Sequence, residues 1–419
     1  MQAASGNFQV NACFLPLLEY RSIGAMWSPA VRQVSSADRS ATFAREKMKM
    51  IVVVTQCFPP AIGGIENLMG GAAKALHARG HAVVVLADGH KGRVDDSGRF
   101  GSVRYFDGWK PLRRWRKARA LRHLLRSGGV QAVLADSWKS VETLVRSGVP
   151  TGDAVIVCFA HGNEYSQTPK GSKARRITDA LLRVGKVVAV SQFTADRVKR
   201  YHDSQTIVVR SPPVEELVPS SPEDRAWAEG LWAGGRPRLL SLARLEPLKG
   251  VDHTILALNH LVERHPDIRY VVAGPGDDLS RLQSLAAENG FQNRVVFAGP
   301  VTGGRKTALY ESADLFVMPT RRVGDREEGF GMVYLEAAQC GLPIVGGLSG
   351  GARDVLRHED AGILVDGQDI AAIAAAIASV VDDDKRRLTM SQAARKAAAD
   401  ADWSTQIAEL ERDLGVSAD

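Results

Sequence analysis

The sequence predicts an α/β protein with two open, mostly parallel sheets, one in each half of the chain. Three observations carry this expectation. Short β-branched and aliphatic runs alternate with helical stretches from Met50 onward, as they do in parallel sheets covered on both faces. The 419 residues exceed one usual domain and suffice for two cores. Between the halves, Ser211-Pro212-Pro213 through Pro219-Ser220-Ser221-Pro222 is the densest proline segment, which marks a passage between folds.

Residues 1–47 show no convincing period and are expected to form a disordered extension. Phe14-Leu15-Pro16-Leu17-Leu18 is too short for a signal-peptide core and has no basic region before it. Met48-Lys49-Met50 directly precedes the first strand, so a biological start at Met48 or Met50 is expected; N-terminal sequencing of the native protein reads it directly. The first domain is expected over 48–210. Its first strand, 50–56, is a nearly continuous apolar run, followed by a helix ended by Gly80. Further strands are read at 81–87, 103–106, 131–135, 154–159, 186–190 and 207–209. A linker is expected over 211–235. The pattern restarts in a second domain, 236–402, with strands at 238–242, 269–273, 294–297, 315–318, 342–345 and 362–365. Ala-rich helices follow, and no short-period repeat occurs.

An apolar fraction of 45% and a charged fraction of 24% are those of a soluble globular protein. No apolar run approaches the roughly 18 residues of a membrane span. Cys13, Cys57, Cys158 and Cys340 show neither a CxxC pair nor metal-ligand spacing; reduced thiols in the cytosol are expected. The formal net charge is +7. Much of it lies in 110–126, where Arg113, Arg114, Arg116, Lys117, Arg119 and Arg122 occur without an acid. Such a cluster suits anionic lipid, nucleic acid or a phosphorylated acceptor. Over 112–126, Leu112, Trp115, Ala118, Leu121 and Leu125 recur at helical spacing. Two readings stand for this helix. It contacts an anionic membrane, each cation adding roughly 1 kcal/mol near the surface, or it packs by its apolar stripe and leaves a solvated cationic face. No aromatic ladder interleaves the cations, so nucleic acid is not expected.

Chemistry concentrates in Glu327-Glu328-Gly329-Phe330-Gly331-Met332-Val333 and the helix after it, which carries Glu336 and ends at Gly341. The helix is apolar nearly all round and therefore buried, so the Glu336 carboxylate needs donors. Glu328 precedes the helix start, where unpaired N–H groups face an approaching anion. Other candidates also follow strands, where open parallel sheets bind their ligands. Gly63-Gly64 permits close backbone approach to a phosphate or sugar. His161-Gly162-Asn163-Glu164 follows the 154–159 strand. Arg244 and Lys249, in one loop before Gly250, offer a fork and a mobile ammonium to a diphosphate. Ser349-Gly350-Gly351-Ala352 opens another helix. A nicotinamide enzyme is disfavoured: no GxGxxG follows the first strand, although Asp88 ends the second. Gly274-Pro275-Gly276 is only a two-glycine fragment. No Asp-x-Asp motif occurs at a strand end, and no metal is expected.

Two acids eight residues apart around a Gly-Phe-Gly turn resemble the Glu-x7-Glu motif of retaining glycosyltransferases of the GT-B architecture, two Rossmann-like domains facing across a cleft. The resemblance covers about 50–399. It implies that Glu328 lies by the donor sugar and that Glu336 holds ribose hydroxyls. By the same likeness Arg244 and Lys249 clamp the diphosphate with the amides of Gly329, Phe330, Gly331, Met332 and Val333, His161 contacts the sugar, and the 349–352 turn lies near it. The last helix, within 403–419, would cross back to the first domain. His161-Gly162-Asn163-Glu164, Val190-Ser191-Gln192-Phe193-Thr194 and Ser211-Pro212-Pro213 look like bacterial mannosyltransferases that act on lipid-linked acceptors. Ser-Pro-Pro-Val departs from the Pro-Gly-Val turn of many members. The implied activity moves a hexose, mannose favoured, from a nucleoside-diphosphate sugar to a lipid-linked or polysaccharide-precursor acceptor in envelope glycan synthesis. Transfer would retain configuration by a front-face route without cofactor or metal, in the cytoplasm, peripheral on the inner face of the membrane. Two alternatives stay open: a nucleotide-sugar-binding protein without turnover, and a transferase of the same fold making storage glucan or sucrose phosphate.

Overall fold

The computed structural model describes residues 49–89, 97–148, 150–356 and 361–417. The expected extension 1–47, with Cys13, lies outside the described residues. The first domain begins β1 (Met50–Thr55), α1 (Gly64–Ala78), β2 (Ala82–Asp88), the single turn α2 (Ser97–Phe100), β3 (Ser102–Phe106) and α3 (Lys110–Ser127). It continues β4 (Val130–Ala135), α4 (Trp138–Ser147), β5 (Val155–Ala160), α5 (Gly171–Leu181), β6 (Lys186–Ala189), α6 (Gln192–Val198) and β7 (Ile207–Val209). All seven strands are parallel neighbours in the order β3-β2-β1-β4-β5-β6-β7. The apolar run of β1 is explained by burial on both faces. Ile51 and Val53 pack with Leu68, Met69 and Leu76 of α1, whereas Val52 and Val54 pack with Leu121 of α3 and Val141 of α4.

The second domain opens with α7 (Pro222–Trp232), β8 (Arg238–Leu242), α8 (Val251–Ala257), β9 (Arg269–Ala273), α9 (Leu279–Glu288), β10 (Val295–Gly299), α10 (Gly303–Ser312) and β11 (Leu315–Met318). It closes with α11 (Met332–Gln339), β12 (Ile344–Gly347), α12 (Ala352–Val355), β13 (Gly362–Val365), α13 (Ile370–Val381) and α14 (Asp384–Ala399), and the chain then ends in α15 (Trp403–Leu414). Its six parallel strands run β10-β9-β8-β11-β12-β13. In both sheets the strand order reverses beside the first strand, between β1 and β4 and between β8 and β11. That reversal opens a crevice at the carboxyl ends. The protein thus has two parallel-sheet α/β domains, the GT-B arrangement.

Most strand limits agree with the sequence to within a residue. β12 starts later than read because the Leu342 amide closes α11, donating to Ala337 O at 3.0 Å, and Pro343 has no N–H. Of the segment read as linker, 222–232 is α7, started by a Ser221–Asp224 capping box and packed against α10.

Helix α3 corrects the expected cationic face. Lys117 is 1% exposed; its Nζ donates to Thr55 O at 2.8 Å and to Asp88 Oδ1 at 2.5 Å. Arg113 Nε lies 3.2 Å from Asp88 Oδ2, and Arg122 Nε donates to Ser147 O at 2.6 Å. A bare heptad-like count cannot see Asp88, which arrives from β2 and demands buried cationic partners. Arg116, Arg119 and Arg126 remain exposed. So do Leu112 and Trp115, although Ala118 and Leu121 of the same stripe are buried.

Helix α15 packs against α1, β4 and β5 of the first domain. Leu410 and Leu414 are buried, each worth about 1.5–3 kcal/mol over exposure. Beside them Glu411 accepts from Arg79 Nε at 3.1 Å and Nη2 at 3.0 Å, with His81 Nε2 at 2.9 Å. Asp413 accepts from Lys186 Nζ at 2.8 Å. Arg79 holds the Glu411 carboxyl below the ordinary glutamate range, outweighing burial, with His81 adding to the effect. A depressed folded-state pKa means that this stability is present above the unfolded value and is lost as pH falls through the folded one. Glu411→Gln is therefore expected to lower the melting temperature at neutral pH. The two proteins should converge once acid protonates Glu411; a constant gap across the acid range would refute the assignment.

Candidate active site

The loop from β8 to α8 crosses the crevice of the second sheet. A single 3-10 turn, Pro247–Lys249, is ended by Gly250 at φ 75°. A Cβ on Gly250 would lie 2.2 Å from Pro319 O, so only glycine lets this loop press against the end of β11. Arg321 secures the same junction: its amide donates to Leu248 O at 2.9 Å, and its guanidinium grips Asp252 at 2.7 and 2.8 Å. That fixed junction aims Lys249 Nζ at Glu328 Oε2, and the two form an ion pair with most of each side chain covered.

The Glu328 turn is itself held from behind. Gly351 N donates to Glu328 O at 2.8 Å, so the 349–352 turn supports the glutamate. Gly331 takes φ 93° as the N-cap of α11. The amides of Met332 and Val333 open the helix and have no helical carbonyl to bond, so an anion beside Lys249 and Glu328 meets N–H dipoles as well as an ammonium.

The first domain supplies the opposite wall. His161 follows β5; its Nε2 lies 2.8 Å from Asp136 O. A carbonyl only accepts, so Nε2 carries the hydrogen and Nδ1 of the neutral ring is an acceptor. The carbonyl of His161 meets Gly329 so closely that a Cβ there would lie 2.1 Å away. Across from α11, a Cβ on Gly64 would lie 3.4 Å from Met332 Cγ. Gly63 has φ 166°, ordinary extended backbone.

Lys249, Glu328, Gly329, Met332, His161 and Gly64 are thus brought to one cleft. Two candidates stand apart from the Lys249–Glu328 pair. Arg244 shares the Lys249 loop but is turned outward, with Nη1 3.6 Å from Glu246 Oε1 and two-thirds of its side chain exposed. Glu336 is buried on the α10 side of α11, where Lys306 Nζ reaches Oε1 at 2.9 Å and the Tyr310 hydroxyl reaches Oε2 at 3.0 Å. Burial and the Glu336 charge raise the Tyr310 pKa, so it stays a donor.

Sequence reasoning missed Asp136, which accepts from the Thr55 hydroxyl at 2.9 Å, Gln56 N at 2.7 Å and the Ser140 hydroxyl at 2.6 Å. It fixes the end of β4 against β1 and so the carbonyl that orients His161. Its signal was its position after β4 at the crevice. Cys57, on the same rim, is no thiolate nucleophile: burial, then Glu66 and Asp136, push its thiol up to about 12.

Comparison with known proteins turns this geometry into a family. The sequence profile described as "Glycosyl transferases group 1" matches residues 224–397, and that of "Glycosyltransferase Family 4" matches 62–216. The chain is 30% identical over 383 residues to a GDP-mannose-dependent alpha-(1-6)-phosphatidylinositol monomannoside mannosyltransferase of Mycobacterium tuberculosis, covering 87% of this chain and 97% of that protein. The chain belongs to the group 1 glycosyltransferases. The Mycolicibacterium smegmatis enzyme of the same name is 31% identical over 376 residues, 86% of this chain and 97% of its own. A D-inositol 3-phosphate glycosyltransferase of Corynebacterium efficiens is 30% identical over 305 residues, 69% of this chain and 68% of its own. Among solved structures, Anabaena HepE in complex with UDP superposes with a TM-score of 0.72 at 19% identity, over 87% of this chain and 99% of that one. Sucrose-phosphate synthase from Thermosynechococcus elongatus gives 0.72 at 18%, over 87% and 98%. At such identities these two speak for the fold.

For a glycosyltransferase of this architecture, the contact at Gly329 sets how far the cleft can close. Gly329→Ala puts a methyl into the His161 carbonyl. Transfer is expected to fall about 100-fold, as for a small misplacement of reacting groups, with the melting temperature little changed. Unimpaired turnover would show that the two backbones need not meet.

Proposed function

We propose that this glycosyltransferase moves a hexose, mannose favoured, from a nucleoside-diphosphate sugar to a lipid-linked or polysaccharide-precursor acceptor, retaining the anomeric configuration. The observation that carries the reading is the Lys249–Glu328 ion pair beside the open amides of α11, at the crevice of the second sheet. GDP-mannose is the favoured donor, supported by the names of the two mycobacterial relatives.

In this reading the diphosphate lies against Lys249 and the amides of Met332 and Val333, and Arg244 swings in from solvent to complete the clamp. These cations and dipoles take up the charge that grows as the C1–O bond to the diphosphate breaks, so no metal is required. Glu336 holds the ribose: each carboxylate oxygen has a second lone pair, so the bonds to Lys306 and Tyr310 leave capacity for two hydroxyls. Glu328 and His161 border the sugar. The acceptor oxygen attacks C1 from the face the diphosphate leaves, and its proton passes to the departing diphosphate oxygen.

Glu328→Ala and Lys249→Ala are each expected to lower transfer from GDP-mannose to a lipid extract by about 100- to 1,000-fold while still folding, with a melting temperature lowered by the charge left unpaired. The same assay with UDP-glucose or ADP-glucose and glucan primers tests the storage-glucan alternative. Wild-type turnover by either variant would overturn the site.

The acceptor reading draws on α3. Trp109, Leu112 and Trp115 are exposed at its start, Trp109 by 76%. Arg116 and Arg119 are exposed among them, and the Arg119 guanidinium sits 5.6 Å over the Trp115 ring. Aromatic and cationic side chains together suit a peripheral contact with anionic bilayer, on the inner face of the cytoplasmic membrane. Among the described residues no helix is long and apolar enough to cross one. Trp109→Ala with Trp115→Ala should reduce co-sedimentation with vesicles containing anionic phospholipid. Wild-type sedimentation that ignores anionic lipid would remove the membrane contact.

A further inference from the structure

The turn that presents Glu328 is anchored less by its own domain than by the opposite one. From the first domain, Asn163 brackets the backbone of Glu327: its Nδ2 donates to Glu327 O at 2.8 Å, and its Oδ1 accepts from Glu327 N at 3.1 Å. The Ser191 hydroxyl donates to Gly329 O at 2.7 Å, and the Ser166 hydroxyl donates to Asp325 Oδ2 at 2.9 Å. At the centre is a buried charge pair. Arg197 of α6 is 2% exposed and Glu327 is 9% exposed. Arg197 Nη2 reaches Glu327 Oε1 at 3.3 Å and Asp325 O at 2.9 Å.

Each partner is pre-set by its own domain. Arg197 Nη1 donates to Tyr165 O at 3.1 Å, and its guanidinium lies 4.6 Å over the Phe193 ring. Glu327 Oε2 accepts from the Ser349 hydroxyl of its own domain at 2.8 Å, while Gln167 Nε2, from the first domain, adds a further bond across the cleft to Oε1 at 3.1 Å. The fork is therefore aimed before the domains meet, and the carboxylate waits on the other side. Charges buried in this way stabilise only while both are present. Separation leaves each uncompensated unless water enters.

We infer that Arg197 is a positioning residue for transfer: its buried pair with Glu327 latches the two domains and sets the 325–329 turn, so that Glu328 is aligned only when the cleft is closed. The proposal rests on the reading of Glu328 as the carboxylate at the donor sugar. Neither latch residue touches the diphosphate grip of Lys249 and the α11 amides. The latch therefore governs the chemical step and leaves nucleotide affinity to the second domain.

Arg197→Lys keeps the charge without the fork, and Glu327→Gln keeps the shape without the charge. Both are expected to bind GDP with a wild-type Kd, to lose about 10- to 100-fold in kcat, and to show a larger radius of gyration by small-angle scattering of the full chain with GDP. The double variant should be no worse than the poorer single, as for two halves of one contact. A wild-type kcat with an unchanged radius in either variant would overturn the latch, and so would losses that add in the double. If the wild-type protein transferred from no nucleotide sugar, the proposed function would fall. The scattering arm would still judge the latch, an expanded radius supporting it and an unchanged one refuting it.

Discussion

The structure depends first on an ammonium held against a carboxylate at the crevice of a parallel sheet. Lys249 and Glu328 come from different loops, 79 residues apart, and both are largely covered. Two charges leaving water recover that cost only with good geometry and further donors. Here the geometry comes from rigid neighbours: Gly250 pressed on Pro319, Arg321 gripping Asp252, and Gly351 bonded to the Glu328 carbonyl. An ion pair built to stabilise the fold alone would not need a helix start with open amides beside it. In the function proposed above, a site that must accept and release a diphosphate needs both, because the carboxylate keeps the lysine in place while the cleft is empty.

The second constraint is steric. Two α/β domains can form a reactive cleft only if their backbones approach within a few ångströms, and side chains obstruct that approach. Glycine stands at the tightest cross-cleft contact, Gly329 against the His161 carbonyl. Polar groups then convert proximity into register: Asn163 reads the Glu327 backbone in both directions, a pairing that tolerates little sliding. Sterics allow the closed cleft, and hydrogen bonds choose one closed cleft among many.

The sheets were legible in the sequence for a plain reason. A strand buried on both faces must be apolar at successive positions, and 50–54 and 315–318 show it. The Glu328 turn was legible because glycines and acids before an apolar helix have few other uses. What escaped was long-range polar pairing. Lys117 reads as one more surface cation until β2 brings Asp88 to it. Glu327 reads as the lesser twin of Glu328 until α6, 130 residues earlier, brings Arg197. Arg244 reads as a diphosphate clamp from its place in the Lys249 loop, and the loop alone does not say that its side chain faces solvent. Local pattern reports burial, whereas ionic partnership is a property of topology.

The chain passes between the domains twice, and the two passages are one mechanical element. Val214, in the first, donates its amide to Ala401 O of the second at 2.8 Å, so they run side by side. A pair of adjacent crossing segments is a natural axis, since rotation about it changes few contacts elsewhere. Beside them a cavity of about 30 Å³ lies among Phe159, Val188, Pro212, Trp403 and Leu410. At its edge Asp413 ties α15 to Lys186, and beside it Glu411 ties the helix to Arg79. Ties that fix α15 to the first domain leave the crossing itself as the place where a closure of the kind inferred for Arg197 and Glu327 would turn. Closure can then bring Arg197 to Glu327 as a single event, without loosening either sheet.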